Sequence, residues 1–112
     1  MGKEILEIKS DILSTLAHPL RLKILERLRS GPCCVCKIFP YVRSEQSNVS
    51  HHLAILKRTG VVRSERRGQW IWYRIADPRL YRIIDLVTEC ATGRLTENQH
   101  MVPALTKERT MK

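Results

Sequence analysis

One amphipathic segment, residues 45–58, most constrains what this chain can fold into. Its apolar residues Val49, Leu53 and Leu56 recur at i, i+4 and i+7, which is the spacing of one buried stripe on an α-helix. At about 100° per residue, the opposite side and its flank carry polar and basic side chains. These residues are Gln46, Ser47, Ser50, His51, Lys57 and Arg58. Such a face suits the major groove of DNA.

The charge of the chain also points to a polyanionic partner. There are 20 Lys and Arg against 11 Asp and Glu in 112 residues, which gives a formal net charge of +9. Much of the positive charge is clustered, at residues 57–58 and 63–74. Clustered basic residues favour nucleic acid over a merely solvated surface.

The sequence contains no candidate membrane span and no secretion signal. Residues 1–10 mix acidic with apolar side chains, and no later segment approaches the roughly 20 apolar residues that a spanning helix needs. We therefore expect a cytoplasmic protein with no membrane partner. In that reducing compartment the four cysteines are expected to be ligands or redox groups instead of structural disulfides.

Periodicity and turn residues predict a mainly α fold with one β-hairpin, in the order α-α-α-α-β-β-α. The first helix, residues 4–17, has a narrow apolar stripe of a kind that often pairs with another helix. The second helix begins at Pro19 and ends at Gly31, and a short helix covers residues 33–42. Ser44 or Glu45 begins the helix at 45–58, and Ser44 is the better N-cap by its chemistry. These last two helices form a helix-turn-helix.

The remaining sequence predicts a hairpin and a last helix. The hairpin spans residues 61–75 and turns at 66–69, where Gly68 supplies the positive φ of a tight loop. Its residues Arg66, Arg67 and Gln69 are expected to contact the DNA backbone or minor groove. The last helix runs from Asp77 to about residue 92 and ends at Gly93. The predicted organisation is therefore one domain, 1–93, with a flexible tail, 94–112.

Three motifs resemble the winged-helix repressors of the ArsR/SmtB type. They are LAHPLRLKIL at 16–25, NVSHHLAIL at 48–56 and GQWIWYRI at 68–75. The resemblance implies a homodimer formed by the first and last helices, and no enzymatic activity. It also implies repression through a double-stranded inverted-repeat operator, relieved when an inducer binds.

Cys34-Val35-Cys36 resembles the Cys-Val-Cys that arsenic-sensing members of this family carry before the recognition helix, which corresponds here to the helix at 45–58. The implied inducer is As(III) or Sb(III), a soft ion that binds up to three thiolates, and no permanent cofactor is implied. Those members usually have a third cysteine where this chain has Phe39. For the third ligand we prefer Cys33, because a local cluster needs no assumption about a dimer, and Cys90 is a further candidate.

The spacing of the two thiols suggests how an inducer would act. In a regular helix the side chains of Cys34 and Cys36 point about 200° apart and cannot share one ion. Ligation is therefore expected to unwind the start of the short helix and to shift the recognition helix behind it.

Other functions compete with arsenic sensing. The cysteines could form a redox switch in a repressor of the same fold. Cadmium, lead or zinc sensing is another reading, although the last helix lacks the Asp-x-His pattern of zinc-sensing relatives. A thiol oxidoreductase is disfavoured because the sequence has no CxxC in a βαβ context.

Overall fold

The structure, a computed structural model, describes residue 2 and residues 4–100, with only the backbone described for residues 95–100. In order, the elements are α1 Ile5–Leu16, α2 Pro19–Leu28, β1 Cys33–Cys34, α3 Val35–Val42, α4 Gln46–Arg58, β2 Val62–Arg67, β3 Trp70–Ile75 and α5 Leu80–His100. The predicted mainly α fold with a hairpin is confirmed. None of the helices within the described chain is long and apolar enough to cross a membrane.

The described residues form two compact units, divided between Asp77 and Pro78. In the first unit, α2, α3, α4, β2 and the residue before β2 supply the side chains that are almost fully buried: Ile24, Leu25, Leu28, Ile38, Val42, Val49, Leu53, Leu56, Val61 and Val62. Each such side chain contributes about 1.5–3 kcal/mol on burial. The predicted apolar stripe of the recognition helix, α4, therefore lies in the core.

The sheet has the strand order β1-β3-β2, and both pairs are antiparallel. Strands β2 and β3 pair in register from Val62 opposite Ile75 to Arg67 opposite Trp70. The loop between them is only Gly68-Gln69, and Gly68 has φ +63°. The predicted hairpin is confirmed with a shorter loop, and we call it the wing.

Strand β1 was missed in the sequence, which predicted a helix from Cys33. Cys33 pairs with Tyr73 and Cys34 with Trp72, so β1 is an edge strand bonded to the wing. Two residues are too few to show the alternation that identifies a strand. The short helix α3 consequently starts at Val35, two residues later than predicted.

The predicted ends of the last helix are wrong. A turn with hydrogen bonds from Tyr81 N to Pro78 O (3.0 Å) and Arg82 N to Arg79 O (3.0 Å) precedes α5. The helix continues through Gly93 to His100. Glycine costs a helix about 1 kcal/mol but does not stop it, and here good helix formers follow it. The rest of the predicted tail, 101–112, lies outside the described residues.

Candidate DNA interface and thiol site

Helix α4 separates its buried and exposed residues as the sequence predicts. Val49, Leu53 and Leu56 are buried, at no more than 1% exposure. Every residue predicted to contact the major groove is exposed: Gln46, Ser47, Ser50, His51, Lys57 and Arg58. The outward face has no acidic residue within Gln46–Arg58, so it can approach phosphates without repulsion.

A three-residue turn, 43–45, fixes the start of α4. Arg43 closes α3 in the left-handed conformation (φ 60°, ψ 46°). Of the two residues predicted to begin α4, Glu45 is the N-cap, and the preference for Ser44 is wrong. The Glu45 side chain makes no capping hydrogen bond. Ser44 instead accepts a hydrogen bond on Oγ from Asn48 Nδ2 at 3.3 Å. This contact lies one residue outside the cap and still ties the turn to the first helical turn.

His52 anchors α4 to the beginning of α2. It is buried, and its Nδ1 accepts a hydrogen bond from Arg21 Nε at 3.1 Å. Arg21 also donates from a terminal guanidinium nitrogen to Thr15 O at 3.2 Å. The His18 ring lies 4.3 Å from the His52 ring. Helix α4 is therefore held against α2 by polar contacts as well as by its apolar stripe.

The electrostatics of this contact favour neutral His52. Burial is the largest cause that lowers the pKa of His52 from the ordinary histidine value of 6.5. The neighbouring His18, Arg21 and His51 lower the pKa further, because each repels a second positive charge. A neutral ring can accept the Arg21 hydrogen bond, whereas a protonated ring cannot.

The wing presents all of its predicted DNA residues to solvent: Arg66, Arg67 and Gln69 are exposed. The guanidinium carbon of Arg67 lies 4.4 Å from the centre of the Trp72 ring. A terminal nitrogen of Arg67 is 3.6 Å from a carboxylate oxygen of Glu65. The basic tip of the wing is thus held in place by two neighbours on its own sheet.

The thiol site lies where β1 meets α3. Cys34 is the N-cap of α3, in an extended conformation, and its sulfur accepts a hydrogen bond from Cys36 N at 3.2 Å. The sulfurs of Cys34 and Cys36 are joined in a disulfide. Cys34 is buried and Cys36 is exposed, so the pair can be reached from solvent on one side.

The expectation that the two thiols can meet only if the helix unwinds is wrong. Cys34 precedes α3, so its side chain does not follow the helical 100° rotation. As the N-cap it is directed along the first turn, and the two Cα atoms are 5.2 Å apart. An intact helix therefore brings the pair together.

The other two cysteines do not join this pair in the described residues. Cys33 is a buried free thiol whose sulfur lies 3.5 Å from Cys34 O, and Cys90 is an exposed free thiol on α5. Neighbouring residues of a strand point to opposite faces, which separates the side chain of Cys33 from that of Cys34. No group of three His, Cys, Asp or Glu side chains that could hold a metal ion occurs among the described residues.

Known proteins similar to this chain identify its family. The family model for the bacterial regulatory proteins of the arsR family matches residues 18–64, from the N-cap of α2 into the wing. An uncharacterised HTH-type transcriptional regulator of Methanocaldococcus jannaschii is 42% identical over 84 residues, which are 74% of this chain and 94% of that protein. The chain belongs to the ArsR family.

Two further similarities describe what this ArsR-family chain resembles. The HTH-type transcriptional repressor SmtB of Mycobacterium tuberculosis is 40% identical over 82 residues, covering 73% of this chain and 61% of that protein. A homodimeric winged helix-turn-helix DNA-binding domain of Mycobacterium bovis matches with a TM-score of 0.72 and 29% identity, over 86% of this chain and 94% of that one. As predicted, the chain is a DNA-binding transcriptional regulator of this family and not an enzyme.

Two contacts that support the proposed DNA face were not predicted from the sequence: Arg21 with His52, and Arg67 with Trp72. Arg21 and His52 are 31 residues apart, and no local pattern pairs them. The contact of Arg67 with Trp72 follows from the register of the hairpin. A two-residue loop at Gly68 places Glu65 opposite Trp72, and Arg67 then lies two residues further along the same face of β2. The longer loop predicted at 66–69 gives a different register, so this contact was not predicted.

Proposed function

We propose that this ArsR-family repressor is released from its operator when arsenite or antimonite binds the thiolates of Cys34 and Cys36. The observation that carries the proposal is the meeting of these two sulfurs at the N-cap of α3, the helix before the recognition helix. Two adjacent sulfurs form a chelate that suits a soft, thiophilic ion. One of them is exposed, which gives a dissolved ion access.

The binding reaction balances without an oxidant once the pair is reduced. Arsenious acid gives up two hydroxyl groups, the thiols give up two protons, two As–S bonds form, and two water molecules leave. The third position on arsenic keeps its hydroxyl or takes another thiol. Cys33 and Cys90 remain candidates for that position.

Binding at Cys34 would act on DNA through α3. The Cys34 sulfur caps the first turn of α3, and an ion on that sulfur competes for the lone pairs that accept the Cys36 N–H. Ile38 and Val42 of α3 are core residues, and only residues 43–45 separate α3 from α4. A shift of α3 therefore reaches the recognition helix directly. A coupling of about 1–3 kcal/mol is typical of such linkage.

The DNA-bound form is proposed to be a homodimer on an inverted repeat. In each protomer α4 enters the major groove with Gln46, Ser47, Ser50, His51, Lys57 and Arg58, and the wing adds Arg66, Arg67 and Gln69. Exposed apolar residues on α1 (Ile5, Leu6, Ile8 and Leu13) and on α5 (Leu86 and Val87) are the proposed dimer surface. Two recognition helices must then fit major grooves about 34 Å apart.

A redox switch is the second candidate, favoured by the Cys34–Cys36 disulfide itself. In that case two thiols lose two electrons and two protons to an oxidant such as a peroxide, which is reduced to water. The same α3 cap would change, because a disulfide sulfur is a weaker acceptor than a thiolate. The two candidates differ in what they require, namely a metalloid under reducing conditions or an oxidant without metalloid.

The test uses fully reduced protein and a duplex inverted repeat that the protein itself selects from a random-sequence pool. We expect arsenite to weaken DNA binding of the wild type by about tenfold or more, and to have no effect on Cys34→Ser or Cys36→Ser. Fluorescence anisotropy of the labelled duplex measures the affinity. Cys90→Ser, measured in parallel, shows whether this exposed candidate for the third ligand contributes to release.

The outcomes separate the two candidates. Release of both serine variants by arsenite would sink the arsenic proposal. Release by peroxide alone, with arsenite inert at saturation, would favour the redox switch. X-ray absorption of the arsenite complex, compared between wild type, Cys33→Ser and Cys90→Ser, counts the sulfur ligands and identifies the third.

A further inference from the structure

The β1–β3 ladder places the thiol site against the wing as well as against α3. Cys34 lies opposite Trp72 on one side of β3, and Glu65 lies opposite Trp72 on the other side. Directly opposed residues of antiparallel strands project to the same face, with Cβ atoms about 4.5–5.5 Å apart. Cys34, Trp72 and Glu65 therefore form one row across the three-stranded sheet.

Trp72 in turn fixes the position of a basic side chain at the wing tip. The guanidinium of Arg67 stacks over the Trp72 ring, and its ion pair with Glu65 holds it over the same row. The Arg67 side chain is still 47% exposed, so the contact leaves it available to a phosphate. A movement of the Trp72 indole would move or release the guanidinium that rests on it.

The burial of Cys34 links ligand binding to the position of Trp72. Cys34 is only 4% exposed, so neighbouring side chains already fill the volume around it. An arsenic atom that joins this sulfur to that of Cys36 adds volume next to these neighbours, and protein interiors contain few voids of that size. Among the residues of β3, Trp72 is the one directly opposite Cys34.

We propose that Trp72 is a positioning residue that transmits metalloid binding at Cys34 to Arg67 at the tip of the wing. The inference rests on the proposed function, because it takes arsenite at Cys34 and Cys36 as the signal. It adds a second route from the thiols to DNA, which runs through the sheet and does not involve α3. Loss of the Arg67 contact then adds to the shift of the recognition helix.

Trp70 provides a matched control for this role. It has the same side chain on the same strand and face as Trp72, two residues away, and it is 51% exposed. It lies opposite Arg67, whereas β1 ends at Cys34 and pairs only with Tyr73 and Trp72. A general effect of wing aromatics on DNA binding would involve both tryptophans, but a relay from Cys34 involves only Trp72.

Fluorescence tests the first step of the relay, because the chain has only two tryptophans. Trp70→Phe leaves Trp72 as the sole emitter, and Trp72→Phe leaves Trp70. With reduced protein and no DNA, we expect arsenite to change the intensity or the maximum of Trp72 emission and to leave Trp70 emission unchanged. The Trp72 response should disappear in Cys34→Ser. An unchanged Trp72 emission with arsenite bound would overturn the proposal.

DNA release tests the second step. We expect arsenite to weaken binding by about tenfold or more in wild type and Trp70→Leu, but by less than about threefold in Trp72→Leu. Trp72→Phe, which keeps a ring under Arg67, should regain most of the response. Circular dichroism verifies that each variant is folded, and release is expressed relative to the affinity of the same variant without arsenite.

The results distinguish failure of this inference from failure of the proposed function. If wild type releases DNA with arsenite and Trp72→Leu releases it equally, only the relay through Trp72 is wrong. If the wild type keeps its DNA at saturating arsenite, the proposed function is wrong and the relay falls with it.

Discussion

His52 supplies a polar contact that attaches the recognition helix to α2. Its ring accepts the Arg21 hydrogen bond inside the fold and lies within 5.2 Å of the His51 ring. A buried acceptor that becomes a cation loses this bond and gains a repulsive neighbour. The protonation state of His52 therefore affects both stability and the placement of α4.

Acid should weaken the fold through His52. Because its pKa in the folded state is lowered from 6.5, the unfolded chain takes up the proton first. The stability supplied by neutral His52 is fully present above pH 6.5 and is lost as the pH falls through the folded-state pKa. His52→Asn keeps an acceptor near the position of Nδ1 and cannot titrate. Urea titrations should show a smaller loss in its free energy of unfolding between about pH 7.5 and pH 5 than in wild type.

The neighbouring histidine supplies the control for this prediction. His51 is exposed and accepts no hydrogen bond from Arg21 in the structure, and it is the smallest of the causes that lower the pKa of His52. His51→Asn keeps the burial of His52 and its contact with Arg21, so it should keep most of the pH dependence of the wild type. If His52→Asn also keeps it, the neutral His52 ring does not contribute to stability.

At the scale of elements, the turn between α3 and α4 carries a local conformational cost. Arg43 is the one non-glycine residue with positive φ in the described chain, and it occupies the left-handed position that glycine usually takes after a helix. We expect Arg43→Gly to raise the free energy of unfolding by about 0.5–1 kcal/mol, because relief of a cost of about 1–2 kcal/mol exceeds the added entropy of the unfolded chain. Chemical denaturation measures the change.

Arg43→Ala is the matched variant for this turn, because it removes the same side chain but keeps a Cβ. It should gain nothing, so an equal gain in both variants would assign the effect to the arginine side chain instead of to backbone conformation. DNA affinity of Arg43→Gly, measured in parallel, reports whether the turn sets the angle of α4.

The elements also show where sequence patterns predict structure and where they do not. The long helices and the wing follow from repeated spacing, as Val49, Leu53 and Leu56 illustrate in α4. Strand β1 does not, because its two residues are defined by pairing with a strand nearly 40 positions later. The predicted end of α5 is wrong because a single glycine, Gly93, does not outweigh the helix-forming residues that follow it.

At the scale of the whole molecule, the sequence correctly separates exposed from buried residues on the proposed DNA face but does not predict the thiol geometry. The distance between Cys34 and Cys36 depends on where α3 begins, and one residue decides whether the sulfurs diverge or meet. Likewise, the neighbour of Cys34 on the wing depends on strand register. Both are tertiary properties that no spacing rule contains.

The whole molecule also has an apolar surface that the described chain leaves open. The stripe predicted on α1 is buried only at its C-terminal end, where Leu16 is 5% exposed. Toward the N-terminus Ile5 is 64% and Ile8 41% exposed, and Leu6 and Leu13, which are seven residues apart, are 69% and 55% exposed. Exposed leucines two helical turns apart on one side of a helix are typical of a helix that packs against a partner helix.

If α1 forms the dimer interface, a charge at Leu13 should separate the protomers. Burying an unpaired carboxylate costs free energy, roughly 1–3 kcal/mol at an interface. Leu13→Glu is therefore expected to weaken dimerisation by about tenfold or more. Sedimentation equilibrium measures the dimer constant. Affinity for the inverted repeat should fall in parallel, while affinity for a single half-site stays the same, because each protomer keeps its own α4 and wing.

Ser14→Glu adds the same charge at the adjacent exposed position, about 100° around the helix, and should remain dimeric. Equal dimer constants for Leu13→Glu and wild type would exclude this face of α1 from the interface.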